Sequence, residues 1–135
     1  MTHKFNKMLL ITAAQRKKLL ANGKELVKLM NGEIEDYNPK PVVRLFHPVQ
    51  GATWLLAAIY PNSEKKFGCD LAYGLADLKN GVGAEGGDIP ISGSPGFDLD
   101  SIVIMGMGVE RDRYWKAKLT LREYHEKAQK TGGLD

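Results

Sequence analysis

The stretch Ala52–Tyr60, ATWLLAAIY, constrains the fold of this chain more than any other. It is apolar at successive positions, not at alternate ones. Pro48-Val49-Gln50-Gly51 precedes it and Pro61-Asn62-Ser63 follows it, and both are turn chemistry. A short apolar run between turns reads as a strand buried on both faces. That predicts the centre of a sheet.

The neighbouring segments supply partners for it. Pro41–His47 alternates in part, with Val43 and Leu45 on one face and Val42, Arg44 and Phe46 on the other. Phe67–Tyr73 alternates as well, with Phe67, Cys69, Leu71 and Tyr73 on one face and Gly68, Asp70 and Ala72 on the other. Short turns between consecutive strands favour an antiparallel meander over parallel units with long crossovers. Residues 79–97 hold many glycines and two prolines, Pro90 and Pro95, and are expected to form a loop. Within it Asp88–Ser92 is a candidate edge strand, because Pro90 offers no ladder donor. Asp100–Met105 reads as a further short strand or a turn of helix.

Helices are expected at both ends. Thr12-Ala-Ala-Gln15 and Thr120-Leu-Arg-Glu123 have the capping-box form, in which a hydroxyl and a longer polar side chain satisfy each other's backbone N–H. After the first, Leu20, Val27 and Met30 share a face with Leu19 and Leu26 beside it, and Asn22-Gly23 is expected to end or kink the helix. After the second, Leu121, Tyr124 and Ala128 form the apolar stripe, and Gly132-Gly133 ends it. The fold expected is therefore α+β: an antiparallel sheet of about four to five strands with N-terminal and C-terminal helices packed on it. Residues 1–135 are expected to form one domain, with 1–8 a loose N-terminal extension.

Charge is unevenly spread. Residues 1–30 carry +6, residues 31–110 carry −6 and residues 111–135 carry +3. Basic ends beside an acidic middle suit a mixed solvated surface, and equally a surface for nucleic acid. The single cysteine, Cys69, can form no internal disulfide, which suits a reducing cytoplasm. No apolar run approaches the roughly 20 residues that span a bilayer, and the run Met8–Ile11 is too short for a signal-peptide core. No membrane association is expected.

The order of several motifs resembles a bacterial family known as a domain of unknown function, DUF2958. The strings are MLLITAAQ with LLANG, PVVRLFHP with GATWLLAAIYP, FGCDLAYG, and GVERDRYW, together spanning Met8 to Thr131. Arg44 stands where the family pattern has lysine. Glu85–Ser92 and the Gly/Pro-rich segment through Gly96 depart from it. The resemblance implies a passenger of plasmids, integrative elements and phages, often near conjugation or antirestriction genes. It implies no activity.

The candidate sites follow from residue chemistry. Gly81, Gly83 and Gly86 fit G-x-G-x-x-G, but turn residues precede them and Pro90 follows, so no strand-to-helix cradle is expected. Cys69 reads as a small core residue. His3 and His125 read as solvated. Asp70 has small neighbours, and with Asp77, Glu85 and Asp88 near it in sequence it is the centre of a metal-dependent hydrolase reading. Asp70, Asp77 and His47 together are the candidate polar site; no catalytic set, metal ligand set or cofactor is expected. The segment Glu110–Trp115 is richer. Arg111 and Arg113 suit bidentate pairing with a carboxylate such as Asp70 or Glu85, which would clamp the segment to the sheet. Arg111, Arg113, Tyr114, Trp115, Lys116 and Lys118 equally suit a partner-binding surface. The leading reading is a small non-enzymatic accessory or adaptor protein of a mobile element that binds a protein partner in defence evasion or DNA processing. The alternative is a nucleic-acid-binding module built on the basic helices and Arg113–Lys118.

Overall fold

Both capping boxes form and each starts a helix. The computed structural model describes residues 10–92 and 98–134, so the expected loose extension at 1–8 lies outside the described residues. The Gln15 backbone N–H donates to Thr12 Oγ1 at 3.1 Å, and the Thr12 N–H donates to Gln15 Oε1 at 2.9 Å. Helix α1 (Ala13–Met30) follows. The reciprocal pair at Thr120 and Glu123 opens α3 (Leu121–Thr131), which ends at Gly132 in the left-handed conformation. Between the helices run β1 (Val43–Phe46), β2 (Thr53–Ile59), a short helix α2 (Ser63–Phe67), β3 (Asp70–Asp77) and β4 (Ala84–Ser92). The two-residue strands β5 (Val103–Ile104), β6 (Met107–Gly108) and β7 (Glu110–Arg111) come before α3.

The main sheet has five strands in the order β4-β3-β2-β1-β7, and every neighbouring pair is antiparallel. As the apolar run predicts, β2 is central and buried at every position. Its alternate residues feed two cores. Trp54 and Leu56 join Leu19 of α1 with Val43, Leu45, Ala72, Ile89 and Ile91. Leu55 and Ala57 join Leu75 and Leu121 of α3. Because successive strand residues point to opposite faces, α1 and α3 cover opposite faces of the sheet. The pairing of β2 with β3 skips Ala57, so Ile59 rejoins the α1 face.

Several local expectations are corrected. Asn22-Gly23 does not interrupt α1. A Cβ on Gly23 would lie 1.8 Å from the Ile59 carbonyl oxygen, so the glycine is where the helix presses on the sheet. Asn22 Nδ2 donates to the Ala57 carbonyl at 2.8 Å, serving the residue the register skips. The buried stripe is accordingly Leu19, Gly23 and Leu26, while Met30 is 66% exposed.

The strand expected from Phe67 starts three residues later. Asn62 takes a left-handed conformation, α2 makes one turn, and Gly68 closes it, also left-handed, with its N–H on the Glu64 carbonyl. Phe67 therefore ends a helix and is 60% exposed, while Cys69 is buried as expected of a core residue. Residues 79–97 are not one loop: 84–92 form β4 and pair with β3 through Gly86 and Gly87. Residues 93–97 lie outside the described residues. The chain around Asp100–Met105 is a 3-10 turn (Leu99–Ser101) followed by the β5–β6 ribbon.

Candidate functional site

The three residues of the candidate polar site do not converge. Asp70 and Asp77 sit at opposite ends of β3, about 23 Å apart at the rise of an extended strand. Asp70, with a side chain 13% exposed, accepts two hydrogen bonds from one guanidinium. Arg16 Nε reaches Oδ2 and Arg16 Nη2 reaches Oδ1, each at 2.9 Å. This is the fork geometry expected of an Asp70 ion pair, but the partner comes from α1 and not from Arg111 or Arg113. Both Asp70 oxygens are thus paired with Arg16, and the carboxylate's charge is already balanced by the guanidinium. Among the described residues no group of three His, Cys, Asp or Glu side chains is placed to hold a metal ion.

His47 and Asp77 lie toward the same end of the sheet, since Thr53 pairs with Phe46 on one side and Asp77 on the other. Each is occupied. His47 is fully buried, its Nδ1 accepts from the Val49 and Gln50 N–H groups at 3.2 and 3.0 Å, and Nε2 meets the Met107 carbonyl at 2.8 Å. That pattern requires the proton on Nε2, so neither nitrogen is left for a substrate. Asp77 accepts from the backbone of Lys79 and Leu134 at 3.1 Å each and meets the Lys79 ammonium at 3.5 Å. Burial pushes its carboxyl up, and these donors more than offset that, leaving it below the usual range. Asp77 thus latches the segment after α3 to the β3 end.

Gly81 and Gly83 lie in the β3–β4 turn with positive φ, and Gly86 is in a strand. No helix opens there, so the G-x-G-x-x-G is turn geometry, as its context predicts.

The segment after β7 is organised differently. Strand β7 pairs with β1, Leu45 opposite Arg111 and Phe46 opposite Glu110. The Asp112 N–H donates to the Arg44 carbonyl at 2.9 Å, and Arg44 Nη1 reaches Asp112 Oδ2 at 3.3 Å while its guanidinium sits 5.4 Å from the Phe46 ring centre. A clamp between this segment and the sheet exists, but its cation is on β1 and its carboxylate is on the segment. Trp115 then turns inward. Its ring lies 5.9 Å from that of Tyr124 at 41°, and the Lys118 N–H donates to the Tyr124 hydroxyl at 3.1 Å.

This leaves Arg113, Tyr114, Lys116 and Lys118 exposed, with Tyr114 at 90%. Tyr114, Trp115, Lys116 and Lys118 line a groove of about 440 Å³ together with Arg44 and Lys127. Among the described residues no carboxylate lines it, and Arg113, Lys116, Lys118 and Lys127 are in no ion pair. Arg44 and Lys127 are the members that the sequence does not single out. Lys127 had a local signal, since it lies three residues after Tyr124 on the same helix. Arg44 had none, because its place here depends on the β1–β7 pairing.

A family model described as "Protein of unknown function (DUF2958)" matches residues 10–135. No curated protein and no solved structure matches the chain.

Proposed function

The chain belongs to the DUF2958 family, and from that premise we propose that it is a non-enzymatic accessory protein of a mobile genetic element that works by binding a polyanionic partner in the groove beside α3. One observation carries this reading: cations and aromatics from β1, the segment after β7, and α3 converge on one groove that no carboxylate among the described residues lines. The aromatics supply contact area and the unpaired cations select for negative charge. The mobile-element setting is the one the family resemblance implies. The hydrolase reading centred on Asp70 has weaker support, because the carboxylate is paired with Arg16 through both oxygens.

The test is affinity capture from a bacterial lysate with the wild type and with a Tyr114→Ala, Lys116→Ala, Lys118→Ala variant whose fold is checked by circular dichroism. The wild type should retain a polyanion, protein or nucleic acid, that the folded variant releases. Equal recovery by both would refute the groove as the binding face.

A further inference from the structure

We infer that the occupant of the groove is single-stranded nucleic acid, an inference that rests on the binding reading just given. Tyr114 is the most exposed of the large apolar side chains among the described residues, at 90%. It stands beside Trp115, which is held by Tyr124 and acts as a wall, not as a free platform. A ring so exposed and so flanked by cations is suited to stacking, and every base has a face to stack. Three unpaired cations line the groove and come from two separate segments, Lys116 and Lys118 before α3 and Lys127 on α3.

A duplex keeps its base faces inside the stack, where Tyr114 could not reach them. An acidic peptide would meet the lysines but would have no planar group for Tyr114. The β1 cation, Arg44, is already neutralised by Asp112, so it holds the segment and leaves the phosphates to the other three.

Fluorescence titration of the full chain with an oligodeoxythymidylate of about 12 nucleotides tests this. A hairpin duplex and a poly-glutamate peptide serve as the other arms. Binding of the oligonucleotide should weaken with salt along a log–log slope of about −2, since three contacts at roughly −0.7 each are engaged. Lys118→Ala should flatten the slope by about 0.7. Tyr114→Ala should weaken binding about 5- to 150-fold, the range for losing one stacked base, and Tyr114→Phe should restore it.

Duplex or poly-glutamate binding as tightly as the single strand overturns the inference. So does an unaffected Tyr114→Ala protein, or no oligonucleotide binding at low salt. If poly-glutamate binds and the oligonucleotide does not, only the nucleic-acid inference fails. Failure of the groove itself is read separately, from equal capture by the wild type and the triple variant.

Discussion

The two faces of the sheet are built to different standards. On the α1 face, Leu19, Trp54, Leu56, Ile59, Ile89 and Ile91 form a continuous apolar core, and the helix comes so close at Gly23 that no side chain fits. On the α3 face the fully buried residues are small or few, Leu55, Ala57, Leu75 and Leu121, and they are bordered by half-buried Tyr73, Trp115 and Tyr124. The first face spends its residues on close packing. The second stands its helix off on aromatic rings, Tyr73, Trp115 and Tyr124, though grooves run along both helices. Close packing and the proposed binding groove thus lie on opposite sides of one strand, β2, whose alternate residues serve both.

Substitutions can break this contrast. Gly23→Ala should cost about 4 kcal/mol, at the top of the range for single changes, because a backbone carbonyl blocks the new methyl. A urea midpoint close to the wild type would show that α1 is free to lift off the sheet. Leu19→Ala should cost about 3 kcal/mol by transfer and cavity terms. Leu121→Ala should cost less, about 2 kcal/mol, because grooves beside α3 let the site relax. Equal losses would erase the difference between the faces.

Asp77→Asn should cost about 1–2 kcal/mol at neutral pH, since a buried acceptor loses its charge among its donors. Its carboxyl is depressed in the folded state, so the stabilisation is complete above the ordinary value of 3.8 and is lost as pH falls through the lower folded value. Chemical denaturation from about pH 5 to about pH 2 should therefore destabilise the wild type more than Asp77→Asn. Parallel decline of the two would remove Asp77 as the latch. Smallest of all, Tyr114→Ala should change stability by less than about 0.5 kcal/mol, although it removes the ring proposed as the stacking platform. A marked loss of stability would mean that Tyr114 is structural.

Much of this architecture is legible in the residues, and the boundary of legibility is physical. Thr12 and Thr120 announce their helices because a capping box is satisfied locally. Ala52–Tyr60 announces the central strand because continuous apolarity has few other uses at that length. Phe67 misleads because an alternating pattern runs unbroken through Gly68, and only the left-handed residues Asn62 and Gly68 reveal the turn of helix before β3. Gly86 and Gly87 mislead because glycine reads as a turn, whereas the β3 ladder needs only their backbone groups. The pairing of Asp70 with Arg16 and of Arg44 with Asp112 joins residues far apart in the chain. Charge complementarity says that such pairs form, but not which members meet.

The skipped residue at Ala57 has a consequence for how this chain can change length. Trp54 and Leu56 face α1 in one side-chain phase, and Ile59 faces α1 in the other, with the phase change at Ala57. Deleting one residue between Thr53 and Ile59 would shift the phase and send core side chains to the wrong face. The segment between Asp112 and Thr120 belongs to no ladder, so its length is set instead by two reaches to α3, Trp115 to the Tyr124 ring and the Lys118 N–H to the Tyr124 hydroxyl.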